Sequence, residues 1–130
     1  MLKNKKGYII VIEGLDGSGK ATQTQMLTEY LHNLKLNVKH ISFPDYNQPS
    51  STLVKMYLNS EFGDTPQSVN AYAASSFYAV DRYANFVKSW KSFYNTGGIV
   101  IVDRYITSNI IYQMVKLPEN EWDSFIKWNF

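Results

Sequence analysis

Gly14 and Gly19-Lys20 stand at the spacing G-x-x-x-x-G-K, a pattern that lets a chain wrap its own amides around a phosphate. Glycines allow successive N–H groups to turn inward without a Cβ in the way. The N-terminal end of the helix that follows adds partial positive charge. Lys20 would bring a mobile full charge to the outer phosphates of a nucleotide. The candidate phosphate-binding residues are therefore Gly14, Leu15, Asp16, Gly17, Ser18, Gly19, Lys20, Ala21 and Thr22. Ala21 stands where a Ser or Thr hydroxyl commonly reaches Mg²⁺, with Thr22 one place later, so these residues speak for phosphate more directly than for magnesium. The competing reading is an ordinary glycine-rich turn between a strand and a helix.

Three further groups could carry chemistry. Asp103 closes an apolar run and reads as a carboxylate near Mg²⁺ or its waters, or else as a helix cap after a strand. Arg104, beside it, could fork a second phosphate or make a surface ion pair. Arg82, close to Phe77 and Tyr78, could present a planar donor and a stacking face to a base. Alone, such a set is more often core aromatics with a snorkelling arginine. His40 reads as an outward strand position.

The elements that would hold these groups follow from periodicity. Tyr8–Ile12 is an apolar run of buried-strand type, and a helix follows to about Leu34, with Met26, Leu27, Tyr30, Leu31 and Leu34 on one face. Asn37–Phe43 alternates and reads as a second strand, stopped by Pro44. Ser50 or Ser51 can cap a short helix that buries Leu53, Val54, Tyr57 and Leu58. Thr65-Pro66 signals the start of a long helix running to about Tyr94, with Val69, Tyr72, Ala73, Ser76, Phe77, Val80, Ala84 and Val87 at helical spacing. Gly97-Gly98 ends it and opens the strand Ile99–Asp103. Helices from near Thr107 to Lys116 and from Pro118 complete the pattern, the last with Trp122, Phe125 and Ile126 on one side.

Strand, helix, strand, helices, strand is the pattern of an α/β fold with a parallel sheet. Ligands of such sheets bind outside the carboxyl ends of the strands. The glycine loop, Phe43-Pro44 and Asp103-Arg104 all sit at such ends, so they should converge on one crevice.

Composition narrows the classes. A chain of 130 residues is one domain by length, and 45% apolar content suffices for a core. The formal charge is only +2, and Lys3, Lys5 and Lys6 in an N-terminal solvated tail exceed that surplus. This gives no electrostatic case for nucleic acid or an acidic membrane surface. The chain has no cysteine, hence no disulfide or thiolate metal site, which fits a reducing compartment. No apolar run approaches the roughly 20 residues of a membrane span. A soluble, cytoplasmic protein is the default expectation.

Taken together, Glu13-Gly-Leu-Asp-Gly-Ser-Gly-Lys20 with Thr22-Gln23, Phe43-Pro44, Phe77-Tyr-Ala-Val-Asp-Arg82, and Asp103-Arg-Tyr-Ile-Thr-Ser-Asn109 with Tyr112 resemble the thymidylate kinase family. This family belongs to the P-loop nucleoside monophosphate kinases. The resemblance runs from residue 8 to residue 113 in the family's order and spacing. It implies a three-layer α/β/α fold with a parallel sheet, and phosphorylation of dTMP to dTDP with ATP and Mg²⁺. By the same resemblance Lys20, Asp103 and Arg104 are the catalytic residues. Asp16 would hold the 3′-hydroxyl, Arg104 the dTMP phosphate, and Asp103 would help organise the metal. Tyr105 would fill the space of a ribose 2′-hydroxyl, and Tyr78 would stack on thymine. Arg82 would donate to the base carbonyl, Asn109 and Tyr112 would complete the nucleoside pocket, and Phe43 would wall it. A homodimer through helices is implied, with Tyr57/Leu58 and Tyr72–Phe77 as candidate surfaces.

Members of that family exceed 200 residues. Residues 1–130 should therefore be the N-terminal portion of a single kinase domain, with three of five expected strands and without the lid. Gly17 follows Asp16 in the loop, so the family's transition-state arginine would have to come from that lid. The strand Tyr8–Ile12 should then become an exposed sheet edge. Two other readings stand beside this one: a truncated, non-catalytic nucleotide-binding domain, and another deoxynucleoside or nucleotide kinase.

Overall fold

A computed structural model describes residues 5–130. Lys3, assigned above to a basic tail, lies outside the described residues, and Lys5 and Lys6 are exposed. Three strands, β1 (Tyr8–Ile12), β2 (Val38–Ser42) and β3 (Ile99–Asp103), form a parallel sheet in the order β1-β3-β2. Register pairs Ile12 and Ser42 with Asp103, so all three strands end at one level. The parallel α/β architecture expected from the sequence is the one observed.

The helices are α1 (Lys20–Asn33), α2 (Thr52–Leu58), α3 (Ala71–Asn85), α4 (Lys91–Asn95), α5 (Ile106–Met114) and α6 (Trp122–Asn129). The chain divides into two compact units. One runs up to Phe43 and includes Asn85–Tyr105; the other holds Pro44–Ala84 and Ile106–Phe130.

The first unit contains the sheet, α1 and α4. Its core is Ile41, Phe43, Trp90, Val100 and Val102, ringed by Phe86, Phe93, Tyr94 and Tyr105. The β3 segment Val100–Val102 is fully buried because it is the central strand. β1 is an edge, and Tyr8, Ile9 and Val11 are 59%, 39% and 37% exposed. The reading of Tyr8–Ile12 as a buried strand is thus corrected to an apolar edge, the outcome expected for a sheet with no further strand beside β1. α1 packs on β2 and β3, burying Thr24 fully and leaving Met26, Tyr30 and Leu34 of its apolar stripe exposed. Between α3 and α4 the residues Phe86–Trp90 form a π turn. One extra residue per turn re-aims the helix, and it brings Trp90 inward against Phe86 and Tyr94, with ring centroids 4.6 and 6.3 Å apart.

The second unit packs helices. Val54, Ala71, Ala74 and Phe125 are fully buried, and Tyr72 sets its ring edge-on to Phe125 and Trp128 at 5.2 and 4.9 Å. Several local expectations are corrected here. Thr65 does not start the long helix: Thr65 and Ser68 close a reciprocal capping box around a separate 3₁₀ turn, Pro66–Ser68. Val69 is extended, and α3 begins only after Asn70, whose amide oxygen accepts the Ala73 N–H at 2.8 Å. The buried face of α3 also differs. Val80 is exposed, whereas Ala71, Ala74, Ser75 and Asp81 are buried. Hydrogen bonds to the polar members make that face the inward one. In α2, Val54 is buried and Leu53 and Leu58 are exposed; Ser51 spends its hydroxyl on the Gln48 carbonyl, 2.8 Å away, rather than on a cap.

Candidate active site

The loop after β1 turns twice through backbone that favours glycine. Gly17 has φ 76° and Gly19 φ 86°, both in the left-handed region. Ser18 closes the turn by donating its N–H to the Leu15 carbonyl at 3.1 Å. Gly19 is the N-cap of α1 and offers no side chain to its first amides, so that end of the helix faces outward as a set of donors. Lys20, the first helical residue, sends its ammonium to the Asp103 carboxylate at the end of β3.

Next to that pair, the Arg104 guanidinium donates to the Asp16 carboxylate at 2.5 Å. Asp16 is 96% exposed, whereas the Arg104 side chain is 21% exposed, so the arginine is the anchored partner. Arg104 itself has φ 64°, a left-handed conformation uncommon for a side-chain-bearing residue. Its N–H donates to the Ile12 carbonyl at 3.1 Å, and the Tyr105 N–H donates to the Glu13 carboxylate at 3.0 Å. The Phe43 N–H reaches the Asp103 carbonyl at 3.0 Å, and the Phe43 and Tyr105 rings meet at 5.8 Å. The first unit therefore gathers the glycine loop, Lys20, Asp103, Arg104, Phe43 and Tyr105 at the carboxyl ends of its strands. Both cations rest on carboxylates of the same loop and strand.

The other expected residues belong to the second unit. Tyr78 and Arg82 lie one turn apart on α3, both half-buried. The Tyr57 ring stands edge-on to Tyr78 at 6.5 Å, and the Tyr57 hydroxyl accepts the Lys116 ammonium at 2.8 Å. Asn109 and Tyr112 lie on α5, Asn109 buried and Tyr112 exposed. Asn109 donates its amide to Ser75 Oγ and Asn129 Oδ1, each at 3.0 Å, which ties α5 to α3 and α6. Its own oxygen, like Gln113 Oε1 one turn on, is buried and finds no hydrogen-bond partner among the described residues. Such acceptors suit a donor edge of a ligand. Asp81, buried and adjacent to Arg82, accepts the Asp45 N–H at 2.8 Å and the Ser50 hydroxyl at 2.6 Å. Sequence pattern did not single out Ser75, Gln113 or Lys116, and it marked Tyr57 only as a buried helix position and a candidate dimer surface. It quoted Glu13 and Asp81 only as parts of motifs. An acidic residue next to an expected ligand arginine was the available signal for Asp81.

Comparison with known proteins shows what the chain resembles. The sequence profile described as thymidylate kinase matches residues 12–129. A thymidylate kinase of Plasmodium falciparum is 33% identical over 117 residues, covering 90% of this chain and 53% of its own length. One of Mycobacterium tuberculosis is 33% identical over 121 residues, covering 92% and 55%. The chain thus spans about half the length of the curated relatives it matches. Among solved structures, a thymidylate kinase from Candida albicans superposes with a TM-score of 0.73 at 29% identity, over 95% of this chain and 56% of that one. One from Ehrlichia chaffeensis gives 0.67 at 29% identity, over 97% and 71%. With its glycine loop, the acid and arginine ending β3, and a family match over nearly all its residues, the chain belongs to the thymidylate kinase family.

Proposed function

We propose that the chain binds dTMP together with the phosphates of ATP, and that it serves transfer of the ATP γ-phosphoryl group to the dTMP phosphate, giving dTDP and ADP. The observation that carries this reading is the pairing of Lys20 with Asp103 and of Arg104 with Asp16. Those pairs set two cations within a single cluster, and each would serve one nucleotide's phosphate. Donor phosphates would lie on the amides of Gly14–Thr22 with Lys20 on the outer oxygens. The acceptor phosphate would take Arg104 from Asp16, which then turns to the 3′-hydroxyl. Such an exchange of one anion for another keeps the guanidinium paired throughout.

The acceptor oxygen is already anionic at neutral pH, so no general base is needed. Positioning and charge neutralisation are the chain's contribution. Tyr105, held on Phe43, would close the 2′ side of the sugar. Tyr78 would stack on thymine, and Arg82, Asn109 and Tyr112 would complete the base and nucleoside contacts. Among the described residues no three His, Cys, Asp or Glu side chains cluster as a metal cage. Asp103 fits Mg²⁺ all the same, because that ion takes one or two carboxylates and otherwise phosphate oxygens and water. When bound it would neutralise charge on the transferring group. A homodimer and a cytoplasmic setting belong to the same reading. Among the described residues no helix is long and apolar enough to cross a membrane.

The test is a coupled assay of ADP release with dTMP, thymidine, dUMP, dCMP and AMP as acceptors, alongside a thermal-shift panel of the same compounds. dTMP should stabilise the protein most. Stabilisation by thymidine but not by dTMP would overturn the monophosphate assignment, and dTMP binding without ADP release would restrict the chain to binding.

A further inference from the structure

We infer that Glu13 is a positioning residue for the acceptor phosphate, acting through the turn Asp103-Arg104-Tyr105 and not through the glycine loop that it adjoins. The inference rests on the reading that Arg104 holds the dTMP phosphate. Two successive amides flank the left-handed Arg104, and the end of β1 takes both: Arg104 N–H on the Ile12 carbonyl at 3.1 Å, and Tyr105 N–H on the Glu13 carboxylate at 3.0 Å. Glu13 thus fixes the second of the two amides with its side chain, where Ile12 fixes the first with its main chain.

The consequence is geometric. At φ 64° Arg104 occupies a conformation that its Cβ disfavours, so it persists only while neighbouring groups hold it. The Ile12 carbonyl is main chain and cannot be lost by mutation, whereas the Glu13 carboxylate can. Without it the turn loses one of the groups that hold it and should shift toward ordinary backbone. The Arg104 guanidinium would then leave its 2.5 Å contact with Asp16, and the Tyr105 ring its place 5.8 Å from Phe43. One carboxylate thereby sets the aim of two side chains that would touch dTMP, while Asp103, the partner of Lys20, stays fixed by its place in β3 and by its carbonyl accepting the Phe43 N–H. Glu13 should accordingly separate the acceptor side from the donor side.

The experiment compares the wild-type chain with Glu13→Leu, which removes the acceptor, and Glu13→Gln, which keeps an oxygen there. Calorimetric titrations with dTMP and with ATP are read beside amide hydrogen exchange at Arg104 and Tyr105. In Glu13→Leu, dTMP affinity should fall about tenfold or more while ATP affinity stays within about twofold, the range of one charge-assisted hydrogen bond lost on one side only. Exchange at Tyr105 should accelerate, and Glu13→Gln should restore most of both. Equal loss for dTMP and ATP, unchanged dTMP affinity, or no rescue by Gln would overturn the inference. If the wild-type chain binds no dTMP, the functional reading fails by itself. Exchange at Tyr105 then decides the role of Glu13: acceleration in Glu13→Leu with rescue by Gln upholds it, and no change overturns it.

Discussion

Lys20 and Asp103 lie 83 positions apart, yet the ammonium of one rests on the carboxylate of the other. The contact joins the first residue of α1 to the last residue of β3, and it exists because β1 and β3 are parallel neighbours in register. Replacing Lys20 with Met should lower turnover by about 10²–10³-fold, the scale for removing a group that stabilises transition-state charge. Affinity for ATP should fall and affinity for dTMP should not. Turnover within a few-fold of wild type, in the assay of ADP release, would remove Lys20 from the reaction.

Asp81 should matter for stability before it matters for binding. Its carboxylate, 1% exposed, is the acceptor for both the Asp45 amide and the Ser50 hydroxyl. Asp81→Ala strands both donors and should cost about 2–4 kcal/mol. Ser50→Ala removes only one donor and should cost about 1 kcal/mol. Urea unfolding of the three proteins checks the order; equal midpoints would show that the buried carboxylate contributes nothing.

Gly17 and Gly19 test the loop through backbone alone. No atom lies within 4 Å of where a Cβ would sit at either position, so Ala meets no neighbour there. The left-handed φ values of 76° and 86° remain, and each substitution should cost about 1–2 kcal/mol. The loss should appear chiefly as weaker ATP binding, because the strain relaxes by moving the amides that would hold phosphate. ATP affinities equal to wild type in both variants would refute the cradle.

Asn109 and Ser75 should behave as one unit. Their buried hydrogen bond of 3.0 Å links α5 to α3, so a double-mutant cycle of Asn109→Ala and Ser75→Ala should yield a coupling of about 1 kcal/mol. Asn109→Ala should also weaken dTMP more than ATP, since its oxygen is among the buried acceptors with no partner among the described residues. Additive costs would place Asn109 outside that connection.

The strands were legible because apolar runs with glycine and proline at their ends admit little else: Ile99–Asp103 is observed with the bounds expected from Gly97-Gly98 onward. The glycine-rich turn after β1 was legible for a related reason, since its glycines and lysine have fixed offsets. Helix faces were harder to read. Val80 counted as inward from apolar spacing, yet Asp81, Ser75 and Asn109 are buried through hydrogen bonds whose partners are distant in sequence. The start of α3 was misplaced for the same kind of reason, a local competition won by the Asn70 amide over Thr65-Pro66. Nor could composition reveal that Arg104 would be left-handed, because that depends on Glu13 and Ile12 accepting the amides on either side of it.

The account turns on Arg104 as the seat of the acceptor phosphate. Its most direct measurement is a calorimetric comparison of dTMP with thymidine, on the wild-type chain and on Arg104→Met. Wild type should prefer dTMP by about tenfold or more, and Arg104→Met should erase that preference while leaving thymidine affinity nearly unchanged. Equal affinities for dTMP and thymidine in the wild-type chain, or a preference that survives Arg104→Met, would contradict it.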